Sequence, residues 1–328
     1  MTFLPSQNTA ASLEPAPAAP SLRQTCQHIR QLVGTYVTLE HLQDRLEDLP
    51  NQFVKPQPRP WRAIAWSAIA PEQVQGIALN TFCQILVGSI NTEAPIRGYT
   101  QASRQYLHAY PAMARFVGGT VQPNGTPTSP GLWEIEEKRH TPALLRIYAQ
   151  LSGSRFQPTP HTARPYTPSD SARNDLYRHG LHRTATEYGA ACLYLWMMAH
   201  TTGPLQQVLG ELLVDEINHM TKFWGFGVWA YPDVSLSKNL RVLSYALVKK
   251  MRCRQLQGSL LHTLRRMMNV LAWQEWSHGN RLSFLYTLDQ VMRVLWRWHG
   301  TLTPSYLEDL FGQNPLIALN GRPTADLK

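Results

Sequence analysis

The sequence predicts an all-α fold, because three of its features are typical of helices. Apolar residues recur every three or four positions in four long segments, as on one face of a helix. Hardly any segment alternates apolar and polar residues, which is the pattern of a half-buried strand. Proline or glycine stands at the boundaries of the segments. The 328 residues, 43% of them hydrophobic, are enough for a substantial core.

Composition divides the chain into four parts. Residues 1–20 are rich in proline and alanine and are expected to be a disordered tail without the features of a signal peptide. Residues 21–60 are predicted to be a helical segment that ends in the proline-rich linker KPQPRP. Residues 61–235 contain the four long helical segments, and residues 236–328 form a basic, helical C-terminal extension.

Cysteine usage and hydropathy favour a cytoplasmic protein. The four cysteines are far apart and form no Cys-x-x-Cys pair, so neither a disulfide framework nor a thiolate metal site is indicated. The most apolar window starts at Tyr188 and is about 12 residues long, which is too short to cross a bilayer. We therefore expect no membrane span.

Turn residues place the first two of the four helices. The first is expected to open at Pro71 and to continue through Glu93 to Ile96. The second is expected to open at Ser129 and the proline after it, and to end near Gly153.

The third and fourth helices follow a proline-rich loop. Ser169 and Asp170 are suitable N-caps for the third helix, which is expected to run to the Gly203-Pro204 break. Pro204 then opens the fourth helix, whose apolar stripe begins at Leu205.

Two Glu-x-x-His pairs, Glu137 with His140 and Glu216 with His219, lie on the apolar stripes of the second and fourth helices. Residues three apart project from one face of a helix, so each pair could hold one ion. A carboxylate buried on an apolar stripe is costly unless it has a partner, and a cation would supply one.

Two single glutamates complete the pattern. Glu93 lies on the stripe of the first helix, and Glu187 lies on the third among small residues. Its rival, Glu211, is on another face of the fourth helix. The resulting order of Glu, Glu-x-x-His, Glu, Glu-x-x-His is that of di-iron carboxylate four-helix bundles, in which four carboxylates and two imidazoles hold two ions.

Three residues next to the candidate ligands are candidates for supporting roles. Glu136 and Asp215 each precede a candidate ligand, and they are expected to accept a hydrogen bond from the histidine of the other pair or else to be solvated. Trp133, one turn before Glu137, is interpreted as core packing, with electron transfer as the alternative.

Four further residues are expected at the surface. Glu275 and His278 form a third Glu-x-x-His pair, which we interpret as a surface pair or a local cap. His179 and His182, early in the third helix, are expected to be exposed.

Short segments around these residues resemble a known family. The segments LVGSINTEAP, WEIEEKRH with the following LSG, and DEINH are similar to the first, second and fourth ligand segments of the soluble acyl-carrier-protein fatty-acid desaturases, a family of the ferritin-like superfamily. Glu187 matches the third ligand by position and order. The resemblance covers roughly residues 70 to 225.

The resemblance implies a ferritin-like four-helix bundle with two iron ions cycling between Fe²⁺ and Fe³⁺, with manganese in one position as the alternative, and dioxygen as co-substrate. The implied activity is desaturation or hydroxylation of an acyl substrate, which could be bound to a carrier protein. N-oxygenation, aldehyde deformylation or oxidative cleavage by the same centre remains open, as does a helical protein that stores metal or only binds a partner.

Two positions depart from the family pattern. Ala190 stands where the family commonly has a threonine, and Tyr194 where it has a histidine, so oxygen handling and electron entry are expected to differ. The small residues Gly189, Ala190 and Ala191, with Tyr194, are expected to border a substrate cavity.

The basic region before residue 300 is a candidate docking surface. Residues 238–300 contain eleven Lys and Arg residues against two acidic ones, and Lys249, Lys250, Arg252 and Arg254 form its densest cluster. Solvated helix faces, an acidic partner and nucleic acid are the three interpretations. The family resemblance implies acidic partners, namely acyl carrier protein and ferredoxin, and disfavours nucleic acid. A homodimer is left open.

Overall fold

The computed structural model describes residues 20–107, 110–159, 172–232 and 271–312, which fold predominantly into helices. The helices are α1 Leu22–Tyr36, α2 Leu39–Glu47, α3 Leu49–Val54, α4 Leu79–Glu93, α5 Ile96–Tyr106, α6 Pro111–Gly118, α7 Leu132–Glu137, α8 His140–Ser152, α9 Ala172–Ala199, α10 Gly203–Ala230, α11 His278–His299 and α12 Pro304–Phe311. Single 3-10 turns lie at Trp66–Ala68, Pro71–Gln73 and Trp273–Glu275. In these ranges the only sheet is a hairpin of β1 Thr120–Val121 and β2 Pro127–Ser129. The expected all-α class is confirmed.

The N-terminal helices begin with side-chain caps and pack onto the rest of the fold. At the start of α1, the Ser21 hydroxyl accepts from the Gln24 N–H at 3.3 Å, and the Gln24 side chain accepts from the Ser21 N–H at 2.8 Å. α1 buries Ile29 and Val33 and packs against α9 and α11, while α2 packs against α10. Residues 1–19 lie outside the described residues.

The long helices associate in two pairs. α9 and α10 form an antiparallel hairpin, and α4 packs along α8. α10 contacts both α7 and α8, which brings the two pairs together. The segment before α4 contacts the turn between α9 and α10. Val74 pairs with Thr201 there, and the Gln75 N–H donates to the His200 carbonyl at 2.8 Å.

The first of the four helices is shorter than expected. It begins at Leu79 rather than Pro71, because the residues between them contact the α9–α10 turn and Gly76 has a left-handed backbone with φ of 72°. The helix ends at Glu93, and α5 starts after Pro95, which has no N–H to continue the hydrogen-bond ladder. Glu93 therefore lies in the last turn of α4.

The second helix is divided in two at Lys138 and Arg139. The Arg139 N–H donates to the carbonyl of Glu136, three residues earlier, at 3.2 Å. In an α-helix the acceptor is four residues earlier, so the chain is wound more tightly here. Pro142 lacks the N–H that would donate to the Lys138 carbonyl, so the ladder is interrupted at this point. The interruption falls between Glu137 and His140, and both residues keep their place on the inner side of the fold.

The other helix boundaries agree with the sequence to within a few residues. α7 starts at Leu132, since β2 occupies the chain up to Ser129, and α8 ends before Gly153, whose φ is 67°. The N-caps expected at Ser169 and Asp170 lie outside the described residues. Within the described ranges, no helix has the combined length and apolar character that a membrane span requires.

Gly225 of α10 lies directly under Leu46 of α2. A Cβ built on Gly225 would overlap the fully buried Leu46 side chain, whereas one built on Gly227 would meet no atom within 4 Å. We expect Gly225→Ala to lower the free energy of unfolding by about 1–3 kcal/mol through overpacking. Gly227→Ala should leave it unchanged or raise it, because alanine has the higher helix propensity. Urea unfolding followed by circular dichroism measures both, and equal effects would contradict this packing.

Candidate metal centre

Six side chains from α4, α7, α8, α9 and α10 converge inside the fold. They form two groups in which the candidate ligand atoms all lie within 4.8 Å of one another: Glu93, Glu137, His140 and Glu216 in one, and Glu137, Glu187, Glu216 and His219 in the other. Two of the six, Glu137 and Glu216, belong to both groups. The arrangement could hold two adjacent cations that share two carboxylates.

Glu137 stands between the two imidazoles. Its Oε2 lies 3.2 Å from His140 Nδ1, and its Oε1 lies 2.7 Å from His219 Nδ1. The Trp133 indole N–H donates to Glu137 Oε1 at 3.0 Å and fixes the carboxylate in this orientation. One oxygen therefore faces each histidine, as a carboxylate that bridges two ions would require.

The remaining carboxylates lie around the same two nitrogens. Glu216 Oε1 is 3.2 Å and Glu93 Oε2 is 3.9 Å from His140 Nδ1, while Glu187 Oε2 is 3.7 Å from His219 Nδ1. The Glu93 side chain is 13% exposed, and the other five residues are buried. All six candidate ligands from the sequence are thus brought together.

The outer nitrogens of the imidazoles contact two further carboxylates in a crossed arrangement. His219 Nε2 lies 2.8 Å from Glu136 Oε2, and His140 Nε2 lies 3.3 Å from Asp215 Oδ2. Each histidine therefore reaches the acid that precedes the glutamate of the other pair, which is the contact expected from the sequence. An N–H at Nε2 that donates to a carboxylate leaves the Nδ1 lone pair directed inward.

Four inner atoms of this centre have no hydrogen-bond partners. His140 Nδ1, His219 Nδ1, Glu187 Oε2 and Glu216 Oε1 are buried, and none of them makes a contact with hydrogen-bond geometry. A set of buried acceptors without donors is unfavourable, and bound cations would satisfy it. The donor set of carboxylate oxygens and imidazole nitrogens fits iron, manganese or zinc.

When no cation is bound, protons compensate the charge of the centre. Burial and, after it, the Glu137 carboxylate raise the pKa of Glu93 to about 8, and they raise the pKa of Glu216 well above its ordinary value. Burial opposes protonation of His140, but Glu137 and Asp215 raise its pKa well above the ordinary value. Burial alone would raise the pKa of Glu137, yet the His140 imidazole lowers it well below its usual range. Metal binding would have to displace these protons.

Arg59, in the proline-rich linker, holds the outer carboxylates. Its Nε donates to Asp215 Oδ1 at 2.9 Å, its Nη1 to Glu211 Oε2 at 2.6 Å, and its backbone N–H to Glu136 Oε1 at 2.7 Å. From its composition, this segment is expected only to be a linker. The partners are 77 to 156 residues away in the chain, so no local spacing could have indicated the contact.

Asp215 receives three more donors. Trp61 Nε1 donates to its Oδ2 at 2.8 Å and Arg139 Nη2 to the same oxygen at 3.0 Å, in addition to the contact with His140. Burial would raise the pKa of Asp215, but the hydrogen bond with His140 and the charge of Arg59 lower it. The Trp61 ring also faces His140, with the ring centroids 6.3 Å apart and the planes 26° from parallel. Asp215 is therefore held ionised beside the imidazole.

The residues expected to border a cavity are mostly enclosed. Ala191 is buried, and Tyr194 is 1% exposed and donates to Glu93 Oε1 at 3.3 Å. Gly189 is also buried, and Ala190 is partly buried against the core. Tyr194 thus donates a hydrogen bond to a candidate metal ligand, a contact that its position in the sequence did not indicate.

The histidines expected at the surface of α9 are partly buried, which corrects the sequence interpretation. α5 packs against this part of α9, so that His179 stacks on Tyr106 with centroids 4.3 Å apart and its Nε2 lies 2.8 Å from Ser103 Oγ. Burial, and then the charge of Arg183, lowers the pKa of both His179 and His182.

Two other expectations concern residues away from the centre. Glu275 and His278 are exposed and fall in separate helical elements, in agreement with a surface location. The basic cluster of Lys249, Lys250, Arg252 and Arg254 lies outside the described residues.

Comparison of the chain with protein-family models, curated proteins and solved structures found no match. The resemblance to the desaturases therefore rests on short segments around the candidate ligands.

Substitution of Arg59 tests its contacts with Asp215 and Glu211. Its side chain is 26% exposed and pairs with buried Asp215 and Glu211, whereas the Arg62 side chain is 74% exposed and also contacts Glu211. We expect Arg59→Met to lower the free energy of unfolding by about 3 kcal/mol, because two buried carboxylates lose a donor. Arg62→Met should cost about 1 kcal/mol or less. Urea unfolding in the presence of a chelator compares them, and a larger loss for Arg62→Met would contradict the assignment.

Proposed function

We propose that the chain is a ferritin-like di-iron oxidoreductase that uses dioxygen to oxidise an organic substrate, by desaturation or hydroxylation of an acyl group or a similar carbon chain. The observation that carries this proposal is the pair of overlapping ligand groups that share Glu137 and Glu216. Each group contains three carboxylates and one imidazole, and four carboxylates in total balance the charge of two divalent cations.

The chemistry of the donor set supports iron. Hard carboxylate oxygens and imidazole nitrogens suit iron and manganese, and no cysteine lies among the ligand groups. When bound, a pair of iron ions would supply electrons to dioxygen and so permit oxidation of an unactivated carbon. N-oxygenation and oxidative cleavage would need the same centre, and the substrate decides among these outcomes.

The protein residues prepare the ligands for this task. Glu136 and Asp215 hold the proton of each imidazole at Nε2, so that Nδ1 is the donor atom for a cation. Trp133 orients Glu137 between the two positions. Arg59 compensates the charge of the outer carboxylates, so that metal ions would need to compensate only the charge of the inner carboxylates.

The surroundings also limit the access of water. Five of the six ligand residues are at most 5% exposed, and Trp133 is 1% exposed. Charges interact more strongly in such an enclosed site than in water, and reactive species are shielded from side reactions. A merely metal-storing protein has less need of this enclosure, which favours the enzymatic proposal.

The first test of this function is metal content. We expect the protein to bind about two iron ions per chain after anaerobic loading with ferrous iron and removal of the excess, because two ligand groups are present. Elemental analysis of the folded protein gives the ratio. One ion or none per chain would contradict a di-iron centre.

The second test is oxygen reactivity. We expect His140→Ala and His219→Ala each to abolish the change in the optical spectrum when the ferrous protein meets oxygen, since each variant removes the only imidazole of one group. His278→Ala is the matched control, because His278 is exposed at the start of α11. Loss of reactivity in the control, with the other two variants unaffected, would show that the wrong pairs had been chosen.

A further inference from the structure

Lys222 of α10 is a buried cation that the proposed function does not use. Its side chain is 1% exposed, and its Nζ lies 3.2 Å from Oδ2 of Asp48, the residue between α2 and α3. The Asp48 side chain is 41% exposed, so this ion pair has one partner inside the fold and one at the surface. A lysine is rarely buried to this degree, because its charge loses the solvation of water. The groups that its ammonium contacts have to compensate this burial.

The inner contact of Lys222 is with Asn218, one turn earlier on α10. Lys222 Nζ donates to Asn218 Oδ1 at 2.5 Å, and Asn218 Nδ2 donates to Glu136 Oε2 at 3.5 Å. The same oxygen of Glu136 lies 2.8 Å from His219 Nε2. The side chains thus form a continuous series of polar contacts that begins at the surface with Asp48 and ends at the candidate ligand His219.

The ammonium group fixes the direction of these hydrogen bonds. It has three N–H donors and no acceptor, so the carbonyl oxygen of Asn218 has to face Lys222. The N–H₂ group of Asn218 is then directed at Glu136, which is the acceptor. A carboxylate that accepts on this oxygen favours the N–H of His219 at Nε2, and Nδ1 keeps its lone pair for a cation. The charge at one end of the series therefore determines which nitrogen a cation would meet.

Asp48 stabilises the charged form of Lys222. Burial lowers the pKa of the ammonium group, whereas the charges of Asp48 and Glu136 raise it and that of Arg45 lowers it further. The Gln52 side chain donates to both oxygens of Asp48, at 2.9 and 2.8 Å, and holds the carboxylate in place. The ion pair therefore opposes the effect of burial on Lys222.

The outer carboxylate beside the other histidine has direct ionic partners. Asp215 accepts from the guanidinium groups of Arg59 and Arg139, at 2.9 and 3.0 Å. The Arg139 guanidinium is 3.8 Å from Glu136, which is beyond hydrogen-bond distance. Glu136 therefore depends more than Asp215 on the amide that Lys222 orients.

We propose that Lys222 is a positioning residue, which acts through Asn218 on the carboxylate that holds His219. The inference rests on the proposed function for the presence of two cations. Substitution of a group that orients a metal-binding histidine lowers metal affinity by about 10- to 100-fold. Lys222 lies one group further from the histidine, so we expect the lower end, about tenfold. The effect should be confined to the cation at His219.

The test measures the binding of Co²⁺ to the metal-free full chain by titration calorimetry without oxygen. Co²⁺ has the charge of Fe²⁺ and follows it in the affinity order of nitrogen and oxygen ligands. We expect two ions per parent chain, and one of them should bind about tenfold more weakly to Lys222→Met. Lys138→Met is the matched control and should bind both ions as the parent does. Lys138 contacts Glu134 at 2.6 Å, a buried carboxylate outside both ligand groups.

Histidine variants assign the weakened ion to one position. In the His140→Ala chain the imidazole of His219 remains, so the addition of Lys222→Met should weaken the remaining binding about tenfold. In the His219→Ala chain the same addition should change nothing, because the imidazole on which Lys222 acts is absent. A merely structural role would weaken binding in both chains, and that result would overturn the inference.

Asn218→Asp is the second variant, which decides the matter if Lys222→Met does not fold. Aspartate keeps an acceptor for Lys222 but lacks the N–H₂ group that is directed at Glu136. We expect Asn218→Asp to weaken one ion about tenfold as well. Parent-like binding of both ions by folded Lys222→Met or Asn218→Asp would overturn the inference.

The number of bound ions separates this inference from the proposed function. Two ions per parent chain with unchanged affinities in Lys222→Met would overturn the inference and leave the di-iron proposal in place. One ion per parent chain, weakened by Lys222→Met and lost in His219→Ala, would support the inference and remove the di-iron proposal. A parent chain that binds no ion would overturn both.

Discussion

The structure has to compensate the negative charge of a compact group of buried carboxylates. The carboxylates form two layers, an inner one around Glu137 and an outer one around Asp215. His140 and His219 separate the layers, because each has one ring nitrogen directed into each of them. Arginine compensates the outer layer, and the inner layer needs protons or metal ions. The imidazoles thus divide the site into a part whose charge the protein compensates and a part whose charge protons or bound cations would compensate.

The inner layer was accessible to sequence analysis because it follows from local geometry. A glutamate and a histidine three apart share a helix face, and Glu216 and His219 continue the apolar stripe that begins at Leu205. The helices followed from the same periodicity, and several of their ends followed from proline and glycine residues. Glu136 and Asp215 could be proposed as partners of the histidines because each precedes a candidate ligand. Assignments that depend on a single helix therefore carried over to the structure.

Features that depend on tertiary contacts were not accessible in this way. Nothing near Arg59 indicates that its guanidinium reaches α10, since its partners are more than 150 residues away. The late start of α4 depends on the α9–α10 turn, which uses backbone groups of the preceding segment. The interruption before His140 has a local cause in Pro142, yet the long apolar periodicity concealed it. His179 was misplaced because its burial depends on α5, a neighbour that periodicity along α9 does not reveal.

The hairpin of α9 and α10 positions residues of both layers. Glu187 lies in the middle of α9 and His219 in the middle of α10, and Asp215 of the outer layer lies one turn before His219. Residues three and four apart lie on one face of a helix, so α10 supplies candidate ligands to the inner layer and a charge partner for Arg59 to the outer layer. A displacement of α10 would therefore disturb both layers together.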